Sequence, residues 1–336
     1  EVYVHDFSRA VYNHEEEDFA SLDYEIVDEI FANDFRDESM TEKDIKKLAK
    51  AAHERGLKLG IKHNMAFVNI GKYIIKGLTG EIESSVEEDF AKFNSGHTEE
   101  WIRDYFIKWQ TRLIERGKMY EKYGVDIMSI TPNWMGPTFE GKEKLANELQ
   151  KELIINLREV FSGKIHVELD FWEIINGNTS EWKKYDYYEY ADIKEVRVYE
   201  LPGRFAIANN PTKNQIKNGI GKLLDRFEEY SNFHGLKISV FFSPFSYKNA
   251  INDGIVEYYD VLNKDTKETE KDWEHQVDAW QGFFEAVYSR EFVEGVNAST
   301  MWWDNAMDPD VKVKISISPS IRNKPAEEVI KQWFNN

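Results

Sequence analysis

The order in which two hydrophobic periods alternate along this chain constrains its fold more than any other feature. Short runs whose side chains alternate every second residue, the period of a strand, give way to longer runs with apolar residues three and four apart, the period of a helix. Strand-type runs lie at Val2–Phe7, Asp28–Phe35, Leu57–Asn64, Asp126–Thr131, Lys164–Phe171, Glu195–Glu200, Lys237–Phe242 and Gly295–Trp302. Helix-type runs follow them at Glu15–Leu22, Thr41–Arg55, Thr98–Tyr123, Lys142–Phe161, Ser180–Tyr190, Thr212–His234, Asp272–Ser289 and Pro325–Phe334. Thr41 is placed to cap its helix, Ile45, Leu48, Ala49 and Ala52 share one face, and Gly56 stops it. Strands alternating with helices imply a parallel sheet, and eight such units predict an α/β fold, a (β/α)8 TIM barrel. The expected layout is one domain over residues 1–336, with an insertion from Ala66 to Gly96 after the third strand. A doubly wound open sheet is the alternative, but no glycine-rich phosphate loop follows the first strand.

Composition narrows the partners. Sixty-one acidic against 43 basic residues give a net charge of −18, which repels phosphate backbones and anionic lipid, so no nucleic-acid partner is expected. No apolar run has the roughly 18–20 residues of a membrane span, so no membrane insertion is expected. The absence of cysteine excludes disulfides, thiolate metal sites and cysteine nucleophiles, and leaves the compartment open. The start at Glu1, without initiator Met or signal peptide, reads as a piece processed or excised from a longer polypeptide, whose further domains would be neighbours.

In a barrel of this kind the reacting groups gather at the C-terminal lips of the strands. The lip residues here are Asp6, Asn33, Asp34, His63, Asn64, Asn133, Trp134, Asp170, Trp172, Glu200, Ser243, Trp302, Trp303 and Asp304. Carboxylates, amides and indoles are what an oligo- or polysaccharide requires: hydroxyls need acceptors and donors, and the C–H faces of a pyranose lie against flat rings. Basic residues are scarce at the lips, which argues against phosphorylated substrates. Alternation in KIHVELDF puts Ile165, Val167 and Leu169 toward the helices and His166, Glu168 and Asp170 into the lumen. Glu168, Arg197 and Lys62 then form a buried ion-pair layer below the lip, with Tyr199 and Asp170 one step higher.

Three segments carry a family resemblance: TEKDIKKLAKAAHERGLKLGIKHN at Thr41–Asn64, YGVDIMSITPNW at Tyr123–Trp134, and VEGVNASTMWWDNA at Val293–Ala306 with IRNKPAEEVIKQWF at Ile321–Phe334. With these the chain resembles the clan A (β/α)8 glycoside hydrolases of the β-mannanase and cellulase type. The resemblance implies hydrolysis of a plant-type β-glycan (a glucan or mannan), an extracellular setting, a substrate-stacking role for Trp302 or Trp303, and catalytic glutamates at the ends of strands four and seven. By the count above, strand four ends in Thr131-Pro132-Asn133-Trp134 and strand seven in Phe242-Ser243-Pro244-Phe245, neither with a carboxylate.

Two readings stay open. In the favoured one the chain is a glycosidase with relocated carboxylates, Asp170 with Glu200, or with Glu168, Asp34 or Asp304 as alternatives. Trp134, Trp172, Trp302, Trp303, Asn64, His63, Asn133, Tyr199 and Asp6 then hold the sugar. In the other, a catalytically inactive barrel serves as a glycan-binding or structural module. His5, His14 and His63 lack metal-ligand spacing, and Asp304–Asp310 lacks the Gly and distal Glu of a calcium loop, so neither a metal nor a cofactor is expected.

Overall fold

The computed structural model describes residues 1–12, 24–27, 29–32, 35–69, 97–130, 139, 141–253, 270–298 and 317–335. The chain groups into two compact units, Glu1–Glu168 with Lys183–Ile193, and Leu169–Trp182 with Lys194–Asn336.

The first unit carries β1 (Val2–Tyr12), β2 (Glu25–Val27), β3 (Glu29–Ala32), β4 (Phe35–Glu38), α1 (Glu42–His53), β5 (Leu59–Asn69), α2 (Glu99–Tyr123), β6 (Ile127–Ser129), α3 (Glu143–Arg158) and β7 (Lys164–Glu168). Strands β1, β5, β6 and β7 pair in parallel in that order, with Asp6 opposite His63 and Met128 opposite Ile165. Helices α1 and α2 each begin at a threonine. Thr41 and Asp44 form a reciprocal capping box for α1, and the Thr98 hydroxyl accepts the Trp101 N–H at the start of α2. Helix α2 ends at Gly124, whose φ of 72° closes the left-handed turn into β6.

The second unit carries α4 (Phe171–Asn176), β8 (Ile193–Val198, from Lys194 onward), α5 (Lys213–His234), β9 (Ile238–Phe242), α6 (Trp273–Val287), β10 (Val293–Ala298) and α7 (Ala326–Phe334). Strands β8, β9 and β10 are again parallel, with Val196 and Val296 both opposite Val240. The apolar faces of α6 and β9 meet in an aromatic core, where Phe242 stacks on Phe283 at 4.4 Å and sits edge-on to Trp280 at 5.1 Å. Each such side chain contributes about 1.5–3 kcal/mol through burial.

The structure differs from the sequence expectation at several places; β1 runs to Tyr12 rather than Phe7 and pairs antiparallel with the unexpected β2. The run Asp28–Phe35 supplies no parallel strand: β1 pairs directly with β5, while β3 and β4 pair antiparallel with Ala32 opposite Phe35. Ala32 and Phe35 pair with only two residues between them in sequence, whereas a parallel neighbour needs a crossover of a dozen residues or more. Strand β5 runs to Asn69, past the start of the expected insertion, and residues 70–96 lie outside the described residues, as does the helix expected at Glu15–Leu22. Strand β7 ends at Glu168 rather than Phe171, because the Asp170 carboxylate accepts the Glu173 N–H at 2.8 Å and opens α4. The helix expected over Ser180–Tyr190 is two single 3-10 turns, Trp182–Lys184 and Tyr187–Tyr190.

Candidate functional site

Successive residues of β1 and β5 point to opposite faces, and the two faces carry different chemistry. On the side that meets α2, the Asp6 carboxylate is fully enclosed. Its Oδ1 accepts the Met40 N–H at 2.7 Å, and its Oδ2 accepts the Tyr120 hydroxyl at 2.8 Å. His63 Nδ1 lies 3.2 Å and Arg116 3.6 Å from the same Oδ2. Across the imidazole, Ser8 Oγ lies 3.0 Å from His63 Nε2 and accepts the Arg112 Nε–H at 2.8 Å. Trp109 stacks on the imidazole at 5.7 Å. Burial pushes the Asp6 carboxyl upward, but His63, Arg116 and the Met40 N–H outweigh it and hold the group well below the usual carboxylate range. Burial, with the Asp6 charge beside it, pushes the Tyr120 phenol up. The serine, histidine and aspartate thus form a hydrogen-bonded chain like that of a hydrolytic triad, but Ser8 and His63 are 0% exposed, so no substrate reaches them.

On the side opposite α2, Tyr3, His5, Lys62 and Asn64 of β1 and β5 share a face with Ser129 of β6 and His166 and Glu168 of β7, and Lys62, Asn64, Ser129 and His166 are buried there. Gly60, opposite Tyr3 in the ladder, makes the layout possible: a Cβ there would stand 2.4 Å from the Tyr3 ring. The Lys62 ammonium lies 5.5 Å above that ring and 3.5 Å from Glu168 Oε1. His166 Nδ1 lies 2.8 Å from Ser129 Oγ, and the Asn64 amide donates to His5 Nδ1 at 3.0 Å. Glu168, the last residue of β7, keeps 18% of its side chain in contact with solvent.

The second unit repeats the pattern in outline. Glu195 of β8 is completely buried; its carboxylate accepts the Asn297 amide of β10 and lies 3.6 Å from Arg197 Nε. Tyr199, half-buried, stands edge-on to Phe241 at 5.7 Å. Glu200 lies two residues past the end of β8, so strand alternation does not fix its direction. Asp170 serves as the cap of α4, and Trp172 on that helix is 54% exposed.

Of the residues singled out from sequence, Asn64 and Glu168 share the side of the first unit opposite α2, whereas Asp6 and His63 lie in the enclosed network against α2. Asp170, Trp172, Tyr199 and Glu200 belong to the second unit. Asp34, Asn133, Trp134, Trp302, Trp303 and Asp304 lie outside the described residues. With Asp28–Phe35 removed from the parallel series, strand ordinals no longer match the eight-strand count, so ordinal position alone assigns no catalytic role. Sequence reasoning passed over Ser8, Tyr120, Arg112, Arg116 and Glu195. A signal existed for the helical set: Arg112, Arg116 and Tyr120 recur four residues apart on α2, a polar stripe beside the buried Trp109 and Leu113.

Among the described residues, no cluster of three His, Asp or Glu side chains could hold a metal ion, and no helix is long and apolar enough to cross a membrane. No known sequence family and no curated protein matches the chain. Solved structures do match. A GH113 β-1,4-mannanase superposes with a TM-score of 0.57 at 17% identity over 99% of this chain and 88% of that one. A complex of a GH113 β-1,4-mannanase gives 0.55 at 16% identity with the same coverage. The GH113 β-mannanase of Alicyclobacillus acidocaldarius, in complex with ManMIm, gives 0.57 at 12% identity over 97% and 84%. The parallel strands, the helices between them and this likeness over nearly the whole length establish the fold as an α/β barrel of the TIM type, the architecture of these glycoside hydrolases.

Proposed function

We propose that the chain is a glycosidase acting on a β-linked glucan or mannan. One observation carries this reading: in a fold shared with β-mannanases, β7 ends in the partly exposed Glu168, and the acid Asp170 and the exposed indole of Trp172 follow it directly in sequence. Glu168, Asp170 and Trp172 follow one another within five residues of β7. Glycoside hydrolysis needs one protonated and one ionised carboxyl flanking the bond, about 5 Å apart for retention and roughly 6.5–9.5 Å for inversion. Asp170, paired with Glu200 or with Glu168, Asp34 or Asp304, supplies that chemistry. The site sits in an acidic chain of net charge −18, which suits a neutral saccharide and repels polyanions. An extracellular setting and further domains on the same polypeptide fit a polysaccharide substrate.

A second reading has its own support. The Asp170 carboxylate is engaged as a helix cap, and Glu168 is ion-paired to Lys62. A barrel that binds glycan without cleaving it would hold these acids in the same way. Incubation with β-glucans, mannans and xylans, with reducing ends and retention assayed in parallel, separates the two. New reducing ends that disappear in Asp170→Asn, with retention preserved, support the enzyme. Retention without turnover supports the binding module, and neither activity nor retention excludes both. Asparagine caps helices as well as aspartate does, so Asp170→Asn removes the ionisable group while leaving α4 in place.

A further inference from the structure

Most of the exposed large apolar side chains have ordinary settings. Ile107 and Ile155 are exposed residues of α2 and α3, Tyr288 lies edge-on to Trp333 of α7, and Phe334 lies edge-on to Phe284 of α6. Trp172 is different. It stands on a six-residue helix that begins three residues after β7, and that helix is fastened at both ends. At the start, the Asp170 carboxylate accepts the Glu173 N–H, and the Leu169 N–H donates to the Glu195 carbonyl of β8 at 2.8 Å. At the far end, helix carbonyls that would otherwise need water are taken by arginines. Arg226 of α5 donates through Nε to Ile174 at 3.0 Å and through a terminal nitrogen to Gly177, while Arg204 donates to Ile175 at 2.5 Å. The Arg226 guanidinium also lies 4.3 Å over the Trp182 ring, which fixes the fork in place.

The indole itself is supported from one side. Phe171 meets it edge-on at 5.3 Å, and Phe171 rests edge-on against the buried Phe227 at 6.1 Å. Its remaining surface is open, 54% of the residue. An isolated six-residue helix is unstable in water, so two arginines, a cap and a strand hydrogen bond are what hold this ring in one orientation.

We infer that Trp172 is a pre-organised stacking subsite for a pyranose unit of a neutral oligosaccharide, and that Arg226 is its positioning residue. The inference rests on the carbohydrate reading above and deepens it. A flat indole presents a face to the C–H groups of a sugar ring, and the adjacent acids Asp170 and Glu173 accept hydroxyl hydrogens while repelling phosphate or an anionic polymer. Holding the ring fixed before binding removes the ordering cost that a mobile tryptophan would pay on contact.

The test uses the full chain with its ten tryptophans labelled at the indole nitrogen, the Trp172→Phe variant assigning the Trp172 signal. Mannohexaose and cellohexaose are titrated in, with maltohexaose as an α-linked comparison. The expected result is a progressive shift of the Trp172 signal and a loss of affinity of about tenfold in Trp172→Ala, the scale of a lost aromatic anchor. Arg226→Met is expected to broaden the Trp172 signal and weaken binding several-fold in the wild-type background, with no further effect in the Trp172→Ala background. Arg204→Met gives the same pattern more weakly and serves if Arg226→Met does not fold. Saccharide binding with an unmoved Trp172 signal and unchanged affinity in Trp172→Ala overturns the subsite and leaves the glycosidase reading standing. Equal losses from Arg226→Met in both backgrounds overturn its positioning role. A wild-type chain that binds none of these saccharides overturns the subsite and the carbohydrate reading together.

Discussion

The two faces of β1 and β5 are one residue apart in sequence and opposite in character. Asp6, Ser8 and His63 meet α2 in a closed network that donors from Tyr120, Arg112, Arg116 and Met40 complete. His5, Lys62 and Asn64, their immediate neighbours, lie on the other side with Glu168, whose carboxylate still reaches water. The closed side holds the tighter cluster of charge, yet nothing can approach it. Density of ionisable groups therefore marks a structural joint between strand and helix here, and partial exposure at a strand end marks the candidate site.

The comparison can be broken first at Asp6. Asp6→Asn leaves Arg116 facing an uncharged amide and is expected to cost about 3–5 kcal/mol in chemical denaturation. Because its pKa in the fold lies below its ordinary value of 3.8, the Asp6 contribution is present above that value and fades as the pH falls toward the lower, folded one. The acid limb of stability should accordingly flatten in the variant; an unchanged limb would show that the network is not stabilising. Lys62→Met, at a buried ammonium on the other face, should cost about 2 kcal/mol, less than Asp6→Asn because Glu168 can turn to water, and adding Glu168→Gln should recover part of it. If the second substitution adds its full cost instead, the ion pair at 3.5 Å is not coupled. Tyr120→Phe, which removes one donor to Asp6 and no volume, is expected to cost about 1.5 kcal/mol, with no effect on saccharide affinity. Asp170→Ala should cost about 1 kcal/mol through the lost cap and Asp170→Asn only a few tenths, a ratio readable by thermal melting. Equal losses in the two would mean that the carboxylate does more than cap.

Much of the architecture was legible because capping and periodicity are local. Thr41, Thr98, Thr212 and Asp272 each open a helix where the sequence places one, and Gly124 and Gly235 end two of them in left-handed turns. The Lys62–Glu168 pair also followed from period-two alternation, since both residues fall on the polar side of strands that pair through β6. The hairpin at β3 and β4 was not legible as such: EIFA and FRDE alternate like any strand, and only pairing tells a strand that crosses over from one that folds back. Asp6 and His63 read as lip residues because strand position suggested the rim. Their true surroundings depend on side chains of α2 that arrive more than a hundred residues after Asp6 in the chain, which no local pattern encodes. Asp170 carried two local meanings, strand-end acid and helix cap, and the structure displays the second.

The claim that the strand face bearing Glu168, and not the face against α2, is the working one is tested most directly by calorimetric titration of mannohexaose into wild type, Glu168→Gln and Tyr120→Phe, each at a temperature where it is folded. The expected result is measurable binding by wild type, a change of about tenfold in Glu168→Gln, the scale of one charged hydrogen bond, and an affinity within about twofold of wild type in Tyr120→Phe. An affinity lost in Tyr120→Phe but kept in Glu168→Gln would contradict the claim.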